Sequence, residues 1–117
     1  MTNLEIVRKL NASFAEGYPE KMKCFIAEDA RWNVVGSIVS IAEDAFCKNR
    51  NEKYFVDLPY IHIKKEIEKE NYVAVEGEIK CKQADGKMLD AFFFDVYRLE
   101  DGKIKELNSY IISKKFA

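Results

Sequence analysis

The stretch from Leu89 to Leu99 carries the clearest hydrophobic pattern in the chain. Side chains of a strand point alternately to its two faces. One face would carry Leu89, Ala91, Phe93, Asp95, Tyr97 and Leu99, and the other would carry Phe92, Phe94 and Val96. Both rows are apolar in the middle, which predicts a strand that is covered on both sides. Asp95 interrupts one row, and a carboxyl there must be paired, hydrogen-bonded, protonated or facing a cavity.

Alternating patterns predict three further strands around this central one. They run from Tyr60 to Ile67, from Tyr72 to Lys82 and from Lys103 to about Ser113. Ile61, Ile63 and Ile67 recur on one face of the first of these strands. The second is predicted to turn Val73, Val75, Ile79 and Cys81 inward, and the last contains Ile104, Leu107, Tyr110, Ile111 and Ile112. Asp85-Gly86 and Asp101-Gly102 are hairpin-turn signals. The second half of the chain is therefore predicted to form four antiparallel strands.

The N-terminal half predicts helices. Thr2 or Asn3 can cap a first helix that ends at Gly17, with Glu5 placed for a capping box. Its apolar stripe consists of Leu4, Val7, Leu10 and Phe14. A second, short helix is predicted to begin at Pro19 and to contain Met22, Phe25 and Ile26.

A short strand is predicted from Ala30 to Val35, before Gly36. Ser40 can then cap a third helix at about residues 41–53. Helices segregated from antiparallel strands indicate an α+β domain. We expect residues 1–117 to form one such domain, with three N-terminal helices packed on a curved, mostly antiparallel sheet that leaves a cone-shaped hollow.

Composition narrows the function classes. The net charge is −1 and no segment is strongly basic, so a nucleic-acid partner is not expected. No apolar run approaches the ~20 residues that cross a bilayer, and the N-terminus lacks the features of a signal peptide, so we expect no membrane association and a cytoplasmic location. The three cysteines, Cys24, Cys47 and Cys81, are widely spaced, and we expect them to be buried in packing. With one histidine, His62, no metal or other cofactor is expected.

Three local motifs resemble the nuclear transport factor 2-like superfamily, and within it the SnoaL-type polyketide cyclases and ketosteroid isomerases. The segment 27–30, Ala-Glu-Asp-Ala, resembles that family's A-D-D-A, and 33–36, Asn-Val-Val-Gly, resembles its D-P-x-G. The segment 95–99 with 101–104 resembles D-V-x-R-F followed by G-x-I. The resemblance covers nearly the whole chain and implies the family's cone-shaped fold.

The resemblance also implies roles for individual residues. Asn33 stands at the position of the isomerases' general base, where an amide cannot accept a proton. Asp95 matches a protonated aspartate that helps to bind an oxyanion, and Leu10 stands at the position of a tyrosine donor. We therefore treat Asp95 and Asn33 as candidate catalytic residues. The expected lining of a ligand pocket consists of Leu10, Phe14, Phe93, Tyr97, Ser109 and Ile111.

Alternatives stay open at each of these positions. Asp95 is either an acid or hydrogen-bond donor in a pocket, or a carboxyl tied to Asn33, Tyr97 or the backbone. Asn33 either orients a ligand carbonyl or satisfies backbone groups. Trp32 must point away from Asn33, which favours packing or an interface, and His62 is expected to face solvent.

Two functions from different classes follow. The first is a protein that binds an apolar small molecule and that, if it is an enzyme, acts as an isomerase or cyclase through Asp95. The second is a ligand-binding or association module without catalysis. In either case the apolar face with Phe92, Phe94, Val96 and Tyr110 predicts a homodimer through the sheet.

Overall fold

The computed structural model describes residues 1–16, 19–35, 39–41, 60–82, 86 and 88–114. Helix α1 spans Asn3–Glu16 and a 3₁₀-helix spans Pro19–Phe25. The strands are β1 (Ile26–Val35), β2 (Val39–Ile41), β3 (Tyr60–Lys69), β4 (Tyr72–Lys82), β5 (Met88–Glu100) and β6 (Lys103–Ser113). They form one curved, mixed sheet in the order β2-β1-β6-β5-β4-β3, in which only β1 and β6 run parallel.

The first helix begins with the predicted capping box. The Thr2 hydroxyl accepts a hydrogen bond from the Glu5 amide at 3.1 Å, and the Glu5 carboxylate accepts one from the Thr2 hydroxyl at 3.1 Å. The Glu68 carboxylate of β3 also accepts the Leu4 amide at 3.0 Å. A carboxylate at a helix N-terminus is favoured by the exposed amides and the helix dipole. Together with the Arg8–Glu66 ion pair at 2.9 Å, these bonds hold α1 against β3.

The prediction of three helices is confirmed only for the first. The second segment, Pro19–Phe25, is a 3₁₀-helix rather than an α-helix, and Ile26 belongs to β1. Ser40 and Ile41 lie in β2 opposite Trp32 and Arg31, so Ser40 is not a helix cap. The rest of the predicted third helix lies outside the described residues.

We call the side of the sheet that packs against α1 the inner face. It contributes to the core Val73, Val75, Phe93, Tyr97, Leu99, Ile104 and Leu107, which are all at most 7% exposed. Helix α1 adds Ile6, Val7 and Leu10 to the same cluster. The opposite side, which we call the outer face, carries Phe92, Phe94, Val96, Tyr110 and Ile112. The core therefore lies between α1 and one side of the sheet.

Shifts in strand register explain why some side chains face the side of the sheet opposite to the one predicted. A shift between Ile63 and Lys65 inverts the alternation in β3. Ile67, predicted to share one face with Ile61 and Ile63, is consequently 61% exposed, while Glu66 faces inward opposite Val75. Val73, Val75 and Ile79 of β4 face inward as predicted. The Cys81 side chain lies outside the described residues.

Gly77 marks the same irregularity on the inner face. A Cβ there would lie 2.3 Å from the His62 carbonyl oxygen and 2.8 Å from the Phe93 ring. Glycine is required because the Phe93 ring and the β3 backbone both approach this point. None of the described helices is long and apolar enough to cross a membrane.

Candidate functional site

Asp95 lies in the middle of the inner face. In the sheet it stands between Val75 of β4 and Ser109 of β6. Along its own strand the inward neighbours are Phe93 and Tyr97, which are 7% and 1% exposed. Asp95 itself keeps part of its surface accessible. The carboxyl predicted from the alternation of β5 is therefore present in an apolar row.

This environment favours the neutral carboxylic acid. Burial raises the pKa of Asp95 from 3.8 to about 7, and a hydrogen bond from the Ser109 hydroxyl opposes that rise. The Ser109 oxygen in turn accepts the Trp32 indole N–H at 2.9 Å. Trp32 and Ser109 thus form a hydrogen bond between β1 and β6, and Ser109 stands opposite Asp95 in the register of β6 and β5. A carboxyl that titrates near neutral pH can serve as either proton donor or proton acceptor.

A second polar group on the inner face joins β5 to α1. The Tyr97 hydroxyl donates to Asn11 Oδ1 at 3.4 Å. Burial and, secondarily, the charge of Asp95 raise the pKa of Tyr97. Asn11 Nδ2 is buried and has no hydrogen-bond partner among the described residues. A buried donor without a partner is costly and is found often at sites that bind a ligand or water.

A cleft of about 210 Å³ opens between α1 and β3 beside this amide. Its lining consists of Arg8, Asn11, Ala12, Ala15, Ile61, Ile63 and Glu66. Arg8 and Glu66 neutralise each other at one side of the cleft, and the alanine and isoleucine side chains make the rest apolar. Asp95 is not among the lining residues, and Asn11 connects the cleft to Tyr97.

Four of the predicted lining residues share the inner face with Asp95. Ser109 stands opposite Asp95, Ile111 stands opposite Phe93, and Tyr97 follows in the same row as Asp95. Leu10 is fully buried in the core between α1 and the sheet. The Phe14 side chain lies outside the described residues. The structure therefore gathers most of these residues on the inner face, although their contact with a ligand stays a prediction.

Asn33 is not brought together with Asp95. It stands opposite Asn108 in β6, and its Nδ2 donates to Asn108 Oδ1 at 2.8 Å on the outer face. Consequently Asn33 cannot share a cavity with Asp95, and the alternative in which it satisfies a neighbouring polar group fits the structure. Trp32 points inward and packs against the core, which confirms the expectation that it serves packing.

Other expectations about polar side chains had mixed outcomes. His62 is exposed, as predicted. Cys24 is exposed rather than buried, because the 3₁₀-helix leaves its side chain in solvent, and the side chains of Cys47 and Cys81 lie outside the described residues. The described part of the chain contains no group of three His, Cys, Asp or Glu side chains that could hold a metal ion.

Two residues at the site were missed in the sequence. Trp32 had a signal, because Ala30, Trp32 and Val34 form an apolar row that alternates with Arg31 and Asn33. Asn11 had none, since a polar residue beside an apolar helical stripe usually faces solvent.

Comparisons with known proteins agree with this architecture. A structure of a nuclear transport factor 2-like protein of unknown function from Burkholderia pseudomallei K96243 has a TM-score of 0.81, with 16% identity over 96% of this chain and 92% of that one. A putative SnoaL-like polyketide cyclase from Jannaschia sp. CCS1 has a TM-score of 0.77, with 14% identity over 93% and 84%. An LEH-like epoxide hydrolase from M. tuberculosis has a TM-score of 0.79, with 11% identity over 92% and 80%. These likenesses establish the fold.

No curated protein sequence matches the chain significantly. The sequence model of the SnoaL-like domain, by contrast, matches residues 7–107, which include α1 from Val7 onward, Trp32, Asp95, Tyr97, and β6 as far as Leu107. The resemblance found in the local motifs is therefore confirmed, and this chain belongs to the SnoaL-like domain family.

Proposed function

We propose that the inner face binds an apolar small molecule and that Asp95 acts on its polar group as an acid or hydrogen-bond donor. The observation that carries this proposal is the Asp95 carboxyl, which stands in an apolar row and has a pKa raised to about 7. Buried carboxyls that titrate near neutral pH are concentrated at functional sites. Ile61, Ile63, Ile79 and Ile111 are only half-buried around the core and provide apolar contact area.

An acid of this kind suits chemistry of the isomerase or cyclase type. A protonated Asp95 can donate to a carbonyl oxygen and stabilise negative charge that develops there. The ionised form can accept a proton from an activated carbon. Support comes from the family and from two similar folds that carry enzyme names, a putative polyketide cyclase and an epoxide hydrolase.

Binding of a matched ligand pair tests this proposal. Acetonaphthone presents an acceptor only, and naphthalene has the same apolar body without a polar group. We expect calorimetry to show tighter binding of the ketone at about pH 5.5 than at about pH 8.5, because only the protonated acid donates. Asp95→Leu should lose the preference for the ketone, whereas naphthalene should bind both proteins alike. Equal binding of both ligands at both pH values would contradict a role for Asp95.

We further propose that the outer face forms a homodimer. Phe92, Phe94, Tyr110 and Ile112 are 42%, 42%, 43% and 59% exposed and stand opposite one another in β5 and β6. A contiguous apolar area on a sheet favours association. Both signs of charge border it, because Lys114 pairs with Glu78 and with Asp90. A second copy turned about a two-fold axis fits a surface with both apolar and complementary charged parts.

The dimer is tested by light scattering coupled to size exclusion. Phe94→Glu should convert a dimer of the wild-type protein into a monomer, because it places a charge in the centre of the apolar area. Lys9→Glu changes an exposed residue of α1 and serves as the control that should remain dimeric. A wild-type monomer at tens of micromolar protein would refute the proposal.

A further inference from the structure

Trp32, which is the sole tryptophan of the sequence, donates a hydrogen bond on the inner face. Its Nε1 lies 2.9 Å from Ser109 Oγ. Ser109 is 3% exposed and stands opposite Asp95 in the register of β5 and β6. The three side chains come from β1, β6 and β5, which are adjacent in the sheet. Their order across the sheet is thus set by strand pairing and not by a loop.

The direction of the hydrogen bond between Trp32 and Ser109 follows from the chemistry of tryptophan. An indole N–H only donates, so the Ser109 oxygen must act as the acceptor of that bond. A hydroxyl has one proton, and side chains paired directly across antiparallel strands have Cβ atoms about 5 Å apart, so the Asp95 carboxyl lies within reach of the Ser109 proton. This placement allows one oxygen of Asp95 to accept from Ser109 whether or not the carboxyl is protonated.

We propose that Trp32 and Ser109 are positioning residues, which fix one oxygen of Asp95 on Ser109 and leave the other oxygen to exchange a proton or hydrogen bond with a ligand. This proposal rests on the proposed function, in which the inner face binds a small molecule. When Asp95 is protonated, its proton resides on the second oxygen. When Asp95 is ionised, that oxygen accepts.

The proposal names the class of polar group that the site takes. A ketone can only accept, so it pairs with the protonated form alone. An alcohol can donate as well as accept, so it pairs with both forms of Asp95. Ligands with an alcohol should accordingly bind with little pH dependence, and ligands with a ketone should lose affinity as Asp95 ionises.

Other titratable groups face the same region, and their titration has to be distinguished from that of Asp95. On the described inner face these are Tyr97 of β5 and Glu66 and Glu68 of β3, with Arg8 on the facing helix. Glu66 is bound by Arg8, and Glu68 accepts the Leu4 amide. Neither carboxylate is among the causes of the Asp95 shift, which are burial and the Ser109 bond. A residue-specific measurement of Asp95 is therefore required.

The direct test is an NMR titration of the Asp95 carboxyl carbon in matched variants. Ser109→Ala removes the donor and should raise the pKa of Asp95 by about 1, since a hydrogen bond to a charged group is a substantial interaction. Ser109→Thr keeps the hydroxyl and should stay near the wild-type value. Trp32→Phe frees the Ser109 hydroxyl to turn and should give an intermediate rise.

The emission of Trp32 supplies a second readout, because no other tryptophan contributes. It should titrate with the same midpoint as the Asp95 carbon, and Asp95→Asn should abolish that transition. If Ser109→Ala does not fold, Trp32→Phe and Ser109→Thr still distinguish the outcomes. An unchanged Asp95 pKa in Trp32→Phe, or a rise as large in Ser109→Thr as in Ser109→Ala, would overturn the proposal.

The ligand experiment separates this inference from the proposed function. Acetonaphthone should bind wild-type protein more weakly as pH rises, whereas the alcohol made by reducing it should bind nearly equally across the same range. Failure of both ligands to bind while the Asp95 titration responds to Ser109→Ala would refute the proposed function and leave the positioning intact. Binding of the ketone that follows Asp95 ionisation, with no response of Asp95 to Ser109 or Trp32, would refute the positioning alone.

Discussion

Replacing Asp95 with asparagine should change how the stability of the protein depends on pH. Burial raises the pKa of this carboxyl to about 7 in the folded protein, against an ordinary value of 3.8. The folded state therefore binds the Asp95 proton more tightly than the unfolded chain does. By linkage, such a group lowers the free energy of unfolding as pH rises.

The size and the pH range of the effect follow from these two values. Below about pH 4 both states are protonated, and Asp95 imposes no cost on folding. Between that point and about pH 7, ionisation in the unfolded state lowers the free energy of unfolding by about 1.4 kcal/mol for each pH unit. Above about pH 7 the cost is constant at up to about 4 kcal/mol, an upper limit because Asp95 retains some contact with solvent.

An asparagine is neutral at every pH and keeps an oxygen that can accept from Ser109. Asp95→Asn should therefore be more stable than the wild-type protein at about pH 8, by a few kcal/mol, and close to it at about pH 4. Urea denaturation across this range measures the difference, in which contributions from other titrating groups cancel. Asp90→Asn is the matched control, because Asp90 lies on the same strand but pairs with Lys114 on the outer face. A difference between wild-type protein and Asp95→Asn that does not change with pH would refute the raised pKa.

Two further substitutions test the packing around the site. Gly77→Ala should lower the free energy of unfolding by about 1–3 kcal/mol, because its Cβ would lie 2.3 Å from the His62 carbonyl oxygen and 2.8 Å from the Phe93 ring; an unaltered urea midpoint would show that the backbone yields at no cost. A double-mutant cycle of Asn11→Ala and Tyr97→Phe should give a coupling free energy of about 0.5–1.5 kcal/mol. Additive effects in that cycle would show that the 3.4 Å bond between the two side chains contributes nothing.

The second half of the fold could be predicted because its signals are local. Alternation placed β4 at Tyr72–Lys82 and β6 at Lys103–Ser113, and the structure has the same bounds. The turn between β5 and β6 follows from Asp101 and Gly102, which adopt φ values of 53° and 75°. Positive φ at both positions is what a two-residue hairpin turn requires and what aspartate and glycine tolerate.

Irregularities in strand pairing were not predictable in the same way. The alternation rule assumes that each residue advances the pairing by one, and an extra residue inverts every face beyond it. In β6, the shift between Arg98 and Leu99 of the neighbouring strand lets Ile104 and Leu107 both face inward, although they lie three residues apart. In β3 the same effect exposes Ile67. No residue type in these segments predicts the position of the extra residue.

Trp32 and Asn33 show how two kinds of sequence argument can disagree and which one physics favours. The family motif placed Asn33 beside Asp95, because a single matched position was carried over without regard to which way the strand faces. The alternation of β1 argues the reverse, since Trp32 belongs to an apolar row and Asn33 to a polar one. Burial of apolar surface is the larger free-energy term in a strand that covers a core, and a polar amide gains nothing there without a partner. Asn33 finds its partner in Asn108 on the outer face. Trp32 gains both apolar burial and, through its one polar atom, the bond to Ser109, and this is why the tryptophan, and not the asparagine, shares the inner face with Asp95.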